Sequence, residues 1–384
     1  MKRGCRLSLS FFILFIGFSL LLLLPLYPVF MEPVTHLLTG AVLARSGFNR
    51  RAAYATLAMV LAAELPDIDM IRIWVGPAAG PLTNFQHHRG ITHTFLAAPF
   101  EAALVTGIFF LVHRMRKRPA TTAPTNWLIL FAGALVALLS HLLLDWTNNY
   151  GLRPFFPFDP HWYAGSFVFI FEPILFLILL GPLLLPPLFG LIGSEIGSRK
   201  RAFPSPNWSW IALTLVAVLY LYRYNEHTKA LTLASQTAPN EATRFFASPY
   251  PVTPWKWAVI TDTPEAYHLS TIDTRSGEAE PPRPSDTVYK VPADLAILAA
   301  KRTSLGQAYL DWSSYPVLTE QMDNTDPHHP LNAVTFTDAR YFYHVLPTSD
   351  ASGKSSLSGT VLLDMQAPEG SRVVETTFGG TPQK

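Results

Sequence analysis

The sequence predicts an α-helical polytopic membrane domain of about six or seven helices, followed by a small α+β domain outside the membrane. The chain has 384 residues, of which 49% are hydrophobic and 15% are charged, and this balance is typical of membrane proteins. Apolar residues lie in blocks up to about residue 224, and beyond it apolar and polar positions alternate as in a soluble domain. These observations divide the chain into residues 1–30, 31–224 and 225–384.

The apolar blocks are the predicted membrane helices. Residues 1–30 combine a basic start with an apolar core, which fits a signal peptide, a signal-anchor helix or an extension upstream of a start at Met31. Further apolar segments lie at about 34–45, 52–66, 95–113, 127–146, 167–193 and 208–224. The last four approach or exceed the roughly 20 residues that cross a hydrocarbon core of about 30 Å. The first two are shorter, so we expect them to be partly buried in the bundle.

Lysine and arginine residues cluster at alternate segment ends and thereby predict an orientation. The clusters lie at residues 2–6, 45–51, 114–118 and 199–201. Because short cytoplasmic loops carry the positive excess, seven crossings place the N-terminus inside and the tail beyond Tyr224 outside. The same count puts the loops 66–94 and 146–166 together on the outer side. We therefore expect a multi-pass protein of the inner (cytoplasmic) membrane, with its C-terminal domain outside.

Residues 225–384 have the pattern of a separate α+β domain. Alternating apolar and polar positions at 255–261 and 266–272 predict a β-hairpin, and those at 340–346 and 359–365 predict a second one. Residues 291–301, between the two hairpins, have helical spacing.

Charge and cysteine content narrow the partners and the metal chemistry. The formal net charge of +2, without a continuous basic face, gives no reason to expect nucleic acid. Cys5 is the only cysteine, so intramolecular disulfides and thiolate metal sites are excluded. The lipid bilayer is the expected partner, and any metal ion must be held by nitrogen and oxygen.

Four short elements near the outer ends of the membrane segments carry imidazoles and carboxylates. They are T-H at 35–36, E-L-P-D-I-D at 64–69, H-H-R-G-I-T-H at 87–93 and H-L-L-L-D at 141–145. Ionisable residues at membrane depth are costly, so they usually pair, line a cavity or bind an ion. The predicted topology brings the four elements to one side of the membrane.

Within the last element, His141 and Asp145 are four residues apart, which on a helix places both side chains on one face. This arrangement suits two ligands of one metal ion, and a hydrogen bond between the two residues explains it equally well. In P-D-I-D, Asp67 and Asp69 lie in a turn where alternate residues point the same way. Two adjacent carboxylates repel each other unless a cation lies between them. Asp67 is the predicted ligand, and Asp69 is assigned to catalysis, with helix capping as its alternative.

The histidine-rich element supplies further candidates. A tight turn at Gly90 would bring His88 and His93 around a common centre as metal ligands. Arg89 is the predicted catalytic anion clamp, since a guanidinium holds a phosphate or a carboxylate through two hydrogen bonds. Its alternative role is to anchor the neighbouring aspartates. His36 completes the predicted ligand set, unless it is an interfacial histidine bonded to the backbone.

A site made of histidine and aspartate suits Zn²⁺, as one or two ions, with Mn²⁺ or Fe²⁺ as alternatives. A catalytic zinc site keeps one position open for a water molecule and lowers the pKa of that water to about 7. Such a water attacks an ester or a phosphoester. The sequence therefore predicts a metal-dependent hydrolase.

At these residues the sequence resembles the YdjM-like membrane-bound metal-dependent hydrolases. The matching elements are P-V-T-H-L-L-T-G at 33–40, L-P-D-I-D at 65–69, H-R-G-I-T-H at 88–93 and H-L-L-L-D-W-T-N-N-Y-G at 141–151. More distantly, their order is similar to that of the zinc-dependent phospholipase C and S1/P1 nuclease group. That resemblance implies metal binding by His141 and Asp145.

The chain departs from the family pattern after its aromatic loop. The resemblance implies acidic residues in this segment, where the chain has Ser166 and Glu172. Glu172 is a further predicted metal ligand, whereas the hydroxyl of Ser166 suits a divalent ion poorly.

Two functions follow from these predictions. The first is a hydrolase in which metal-activated water attacks an ester or phosphoester of an amphiphilic, lipid-like substrate at the outer membrane face. The second is a non-catalytic metal-binding protein of the envelope, or one associated with transport. A third reading, in which the histidines bond only to each other and to the backbone, also stays open.

Overall fold

The structure is a computed structural model that describes residues 32–73, 75, 80–115, 123–195, 205–280, 286–323, 330–342 and 357–383. The predicted N-terminal segment 1–30 lies outside these ranges, as do the basic residues 116–118 and 199–201. The described chain has a helical N-terminal region and a C-terminal region rich in antiparallel β-sheet.

Each apolar segment predicted between residues 34 and 224 contains a helix. These helices are α1 (Glu32–Leu43), α2 (Ala55–Glu64), α4 (Ala98–Met115), α5 (Trp127–Thr147), α6 (Pro173–Glu195) and α7 (Asn207–Thr237). The short helix α3 (Pro81–His87) lies in the loop between α2 and α4, flanked by 3₁₀ turns at Pro66–Ile73 and Ile91–His93.

The predicted count of six or seven membrane helices is not supported. Of the described helices, α4 and α5 are long and apolar enough to cross a membrane. At about 1.5 Å per residue, α1 and α2 are about 18 and 15 Å long. Helix α1 passes into a π-helical turn at Ala44–Phe48 that is kinked at Gly47, and α2 is followed by the 3₁₀ turn at Pro66–Ile73. Helix α6 begins at Pro173 and contains three further prolines in its interior. Helix α7 continues through residue 224 to Thr237 and carries Arg223 and Glu226 in its second half.

The helical core is held together by small residues. Helix α2 packs between α1 and α5, and α4 packs on α5. Their shared core is rich in alanine, including Ala58, Ala62, Ala134 and Ala137, and such residues let helix backbones approach closely. At Gly40 of α1 an added Cβ would lie 2.7 Å from the carbonyl oxygen of Met59. This close contact fixes α1 against α2, and with it the position of the neighbouring His36.

Two five-stranded antiparallel sheets form the C-terminal region. The first contains β1 (Arg244–Pro249), β2 (Lys256–Asp262), β3 (Ala266–Asp273), β4 (Glu278–Ala279) and β5 (Thr287–Tyr289). The second contains β6 (Pro316–Asp323), β7 (Leu331–Asp338), β8 (Gly359–Leu363), β9 (Val373–Phe378) and β10 (Thr381–Gln383). Helices α8 (Leu295–Arg302) and α9 (Ser304–Trp312) lie between the sheets in sequence and pack on the second.

The first predicted hairpin and the predicted helix are confirmed, as β2–β3 and α8. The second predicted hairpin is wrong in the residues that the structure describes. Strand β8 pairs with β7 on one side and with β9 on the other, and Ala339–Tyr341 forms a 3₁₀ turn. Residues 343–346 of that prediction lie outside the described residues. The error arises because β7 lies in a segment whose alternation the prediction did not use.

A candidate metal centre at the end of a membrane helix

His141 and Asp145 lie on one face of α5, close to its C-terminal end, and both side chains are buried. At about 1.5 Å per residue they lie about 9 and 3 Å from the end of the helix. Nδ1 of His141 is 2.7 Å from the carbonyl oxygen of Ala63. A carbonyl only accepts hydrogen bonds, so Nδ1 carries a proton, and in the neutral imidazole Nε2 presents a lone pair.

The loop between α2 and α4 brings His93 and Asp67 to the same point. Nε2 of His93 is 3.2 Å from Nε2 of His141 and 3.2 Å from Oδ1 of Asp67. Nδ1 of His93 is 3.1 Å from the hydroxyl of Thr92, which donates in turn to Oδ2 of Asp69. With the proton of His93 on Nδ1, the hydroxyl accepts from Nδ1 and Nε2 presents a lone pair; with the proton on Nε2, the ring donates to Oδ1 of Asp67 instead.

Oδ2 of Asp145 completes the cluster. It is 3.4 Å from Nε2 of His93 and 3.4 Å from Nε2 of His141, and it accepts no hydrogen bond from the described residues. When both imidazoles are neutral and protonated at Nδ1, two lone pairs and two carboxylate oxygens converge on one point. Such an arrangement of acceptors is unfavourable without a cation.

The spacing of these atoms fits a small divalent ion. An ion with tetrahedral bonds of about 2.0–2.1 Å separates its ligand atoms by about 3.3–3.4 Å. The triangle formed by His93, His141 and Asp145 has edges of 3.2, 3.4 and 3.4 Å. The adjoining triangle, in which Asp67 replaces Asp145, has edges of 3.2, 3.2 and 3.8 Å. Asp67, His93 and His141 thus form a group that can hold a metal ion.

Electrostatics favours the ligand forms of the loop residues. Burial alone would raise the pKa of the Asp67 carboxyl, but His141 and His93 outweigh it and lower this pKa below its ordinary value. Burial lowers the pKa of His93 and so favours the neutral imidazole, which is the form that binds metals. A divalent cation would therefore find an ionised carboxylate beside a neutral imidazole.

Asp69 organises the loop rather than facing the cluster centre. Its Oδ1 is 3.0 Å from Nδ1 of His88, and its Oδ2 accepts from the backbone N–H of Arg89 at 3.0 Å. Burial opposes ionisation of both partners, but their hydrogen bond lowers the pKa of Asp69 and raises that of His88.

Asp67, Asp69 and His88 form a further group that can hold a metal ion. The side chains of Asp67 and His88 are 14% and 12% exposed, which makes this the side of the cluster open to solvent.

Arg89 takes the anchoring role that the sequence left open. Its side chain is buried, and Nη2 donates to Oδ1 of Asp145 at 2.8 Å. Nη1 donates to the carbonyl oxygen of Gly151 at 2.9 Å, and the guanidinium stacks on the ring of Tyr150. Oδ1 of Asp145 is thereby fixed by Arg89, while Oδ2 faces the imidazoles. Carboxylates that bind metal ions are usually held in this way, by hydrogen bonds from residues that do not themselves contact the metal.

The turn that positions Arg89 depends on its neighbour. Arg89 has a φ of 53°, in the left-handed region. At Gly90 an added Cβ would lie 2.7 Å from the carbonyl oxygen of His87. The prediction of a tight turn at Gly90 is therefore confirmed, and the turn directs His88 and His93 toward the carboxylates of the preceding loop.

His36 contacts the cluster from α1. Its ring stacks on His141 with centroids 3.9 Å apart, and its Nε2 is 3.4 Å from Oδ1 of Asp145. His36, His141 and Asp145 together form a third group that can hold a metal ion.

The structure does not bring Glu172 into any of these groups. Its buried carboxylate accepts from Nη2 of Arg223 on α7. Ser166 is also buried, with a φ of 56°, and its backbone N–H donates to the carbonyl oxygen of Asn148. The segment after the aromatic loop therefore supports the turn that follows α5.

Sequence reasoning missed the residues that connect this turn to the C-terminal region. Oδ1 of Asn148 accepts from Arg89 and from the backbone N–H of Tyr150. The indole of Trp312 donates to the carbonyl oxygen of Tyr150, and the guanidinium of Arg340 donates to that of Asn149. The adjacent asparagines of T-N-N-Y-G were a local signal, but Arg340 and Trp312, which bond to the carbonyl oxygens of Asn149 and Tyr150, lie more than 150 residues later in the chain.

Fold and site together define a helical membrane protein with a buried histidine and aspartate cluster at the end of one of its helices. Residues 31–230 match the YdjM inner membrane protein family, and the chain belongs to this family. The chain is also 26% identical, over 155 residues, to the uncharacterized protein YfhP of Bacillus subtilis (strain 168). That alignment covers 38% of this chain and 43% of YfhP. No solved structure matches the chain significantly, so the similarity to phospholipase C and S1/P1 nucleases stays a prediction.

Proposed function

We propose that the protein is a membrane-bound, metal-dependent hydrolase that cleaves an ester or phosphoester bond of an amphiphilic substrate at the outer face of the inner membrane. One observation carries this proposal. Nε2 of His93, Nε2 of His141 and Oδ2 of Asp145 lie 3.2–3.4 Å from one another in a buried site, and all three act as acceptors when both imidazoles are neutral and carry their proton on Nδ1. A divalent cation satisfies all three acceptors.

The residues of the cluster divide into holding and supporting groups. His93, His141, Asp145 and Asp67 would hold the ion, and Zn²⁺ suits this donor set best, with Mn²⁺ or Fe²⁺ as alternatives. When bound, such an ion lowers the pKa of a water molecule and polarises the bond under attack. Arg89 and His36 fix Asp145, while Asp69 fixes His88 and, through Thr92, His93. His36 and His88 would be additional ligands if a second ion is bound.

Access for substrate is proposed on the side of Asp67 and His88, where the cluster is open to solvent. The carboxylate of Asp69 lies on this same side, within 3.0 Å of the His88 ring. If His88 does not bind the ion, the Asp69–His88 pair is placed to move a proton at the reacting water or leaving group. The guanidinium of Arg89 already donates to Asp145, so Arg89 would affect the substrate only by holding this carboxylate in place.

The outer location is proposed from the placement of positive charge. Arg50, Arg51 and Arg114 lie at the end of the helices that is remote from the cluster, where Tyr54 contacts His113 near the end of α4. The positive-inside rule puts that end in the cytoplasm. The C-terminal sheets contact the turn after α5, so they would lie outside with the cluster.

A non-catalytic metal-binding protein is the second candidate. The nearly complete burial of His93, His141 and Asp145 favours it, because closed sites are typical of structural metals. The partial exposure of Asp67 and His88 favours the hydrolase.

The test compares metal-dependent turnover in parent and variant. The protein is purified in detergent, and hydrolysis of a generic phosphodiester and of phospholipid is measured with and without a chelator. We expect turnover that is lost on chelation, restored by Zn²⁺, Mn²⁺ or Fe²⁺, and absent from the His141→Ala/Asp145→Ala variant. Bound metal without any metal-dependent turnover would instead support the second candidate.

A further inference from the structure

The surface immediately outside the metal centre is apolar and exposed. Ile68 lies between the two aspartates of the loop, and Ile91 lies two residues before His93; they are 56% and 67% exposed. The other members of this surface follow His93 or lie in the loop after α5. We define the apolar rim as Ile68, Ile91, Phe95, Leu96, Phe155 and Phe158.

Contacts across the rim show that its two halves are adjacent. The rings of Phe95 and Phe155 are 5.5 Å apart, and the backbone N–H of Phe95 donates to the carbonyl oxygen of Pro154 at 3.0 Å. The N–H of Phe158 donates to the carbonyl oxygen of Phe155. In the segment 91–100 the only ionisable side chain is that of His93, which is fully buried. This part of the surface therefore presents no charge to its surroundings.

The rim continues into an exposed apolar face of α4. After Leu96 in the preceding turn, exposed apolar residues recur as a stripe along this face at Phe100, Leu104, Ile108, Leu111 and Met115. At about 1.5 Å per residue, the 18 residues of α4 span about 27 Å, close to the thickness of a hydrocarbon core of about 30 Å. On α5 the exposed apolar positions run from Leu128 to Trp146, over about 27 Å.

Both stripes end at the metal centre. Leu96 is three residues from His93, and Trp146 is adjacent to Asp145. Tryptophan is enriched at the boundary between lipid and water. If the stripes fill the hydrocarbon core, the metal centre lies at its edge, at the level of the lipid headgroups, and the rim is seated among the upper acyl chains.

We infer that the apolar rim is embedded in the bilayer and that the substrate is a membrane lipid, whose ester or phosphoester headgroup reaches the metal centre directly from the membrane. This inference rests on the proposed function and narrows its substrate class from amphiphiles in general to lipids resident in the same bilayer. A water-soluble phosphoester would gain nothing from the rim. A lipid keeps its acyl chains in the bilayer while its headgroup lies beside Asp67 and His88.

Membrane seating is tested first, without any activity. Cys5 is the only cysteine, so Cys5→Ser provides a background for Ile91→Cys and Phe158→Cys, each labelled with an environment-sensitive fluorophore. Leu295→Cys is the matched control, an apolar residue of the sheet region that is 71% exposed. In phosphatidylcholine vesicles containing lipid spin-labelled in the acyl chain, we expect strong quenching at positions 91 and 158 and little at 295. Quenching at 91 and 158 no greater than at 295 would overturn the inference.

Substrate class is tested with the rim variants Ile91→Ser and Phe158→Ser, after equal metal content has shown that they fold. Burying one such side chain in lipid is worth about tenfold or more in partitioning. We expect hydrolysis of vesicle phospholipid to fall at least about tenfold more than hydrolysis of bis(p-nitrophenyl) phosphate, with Leu295→Ser unchanged on both. Equal losses on the two substrates, or a parent that cleaves only the soluble one, would overturn the lipid inference alone. A parent that cleaves neither substrate would overturn the proposed function as well.

Discussion

Replacing Arg89 by methionine tests whether this residue anchors Asp145 for a metal ion. The substitution keeps the apolar part of the side chain but removes the guanidinium that donates to Asp145 at 2.8 Å and to Gly151 at 2.9 Å. The Asp145 carboxylate, 1% exposed, would then be a buried charge without its strongest partner. Breaking such a pair from one side costs about 3–5 kcal/mol. We expect Arg89→Met to lower the free energy of unfolding of the metal-free protein by about this amount.

The same variant should be destabilised less when metal is bound, because a divalent cation compensates the carboxylate. Thermal unfolding in detergent, with chelator and with saturating Zn²⁺, measures both values. Arg153→Met is the matched control, since Arg153 also stacks on an aromatic ring but pairs with Asp311, which is 52% exposed. Because Asp311 is solvated and stays so when Arg153 is replaced, loss of this pair should cost only about 0.2–1 kcal/mol. Equal losses for the two variants, or a loss at Arg89 that is independent of metal, would refute the anchoring role.

Three further substitutions test the support around the cluster. Asp69→Asn should weaken metal affinity by about 10–100-fold, because carboxylates that orient metal-binding histidines have effects of this size; competition with a chelator measures it, and unchanged affinity would count against the role of Asp69. Gly90→Ala should lower the melting temperature, since its Cβ would lie 2.7 Å from a carbonyl oxygen, whereas Gly107→Ala has open space and should not. Trp312→Ala should cost about 3–5 kcal/mol in denaturant unfolding, as is usual for a buried tryptophan; a loss below 1 kcal/mol would contradict its role in holding the turn after α5.

Local spacing was sufficient to predict part of the cluster. His141 and Asp145 share a helix face because a helix turns once in about 3.6 residues, and the structure places both in the core. The sequence also predicted Asp67 and His93 as metal ligands from their side-chain chemistry. It could not predict the distances between their ligand atoms, because these distances depend on how the 3₁₀ turns at Pro66–Ile73 and Ile91–His93 pack together.

Interactions between segments that are distant in the chain could not be predicted from the sequence. Glu172 has the chemistry of a metal ligand, but Arg223, 51 residues later, takes its carboxylate. The roles of Arg89 and of the asparagines after Asp145 could be assigned only from the turn that these residues share in the structure.

The predicted number of membrane helices is not supported for a related reason. Hydropathy identifies apolar segments, but whether a segment forms one helix of spanning length depends on where turns interrupt it, as after Glu64.

The metal content of the purified protein tests the central claim most directly. Elemental analysis after removal of loosely bound ions should find one or two divalent ions per chain in the parent, and substantially fewer in His93→Ala and His141→Ala. His227→Ala is the matched control, because His227 bonds to the carbonyl oxygen of Ala247 outside the cluster, and it should retain the parent value. A parent without bound metal, or cluster variants that hold as much metal as His227→Ala, would contradict the account.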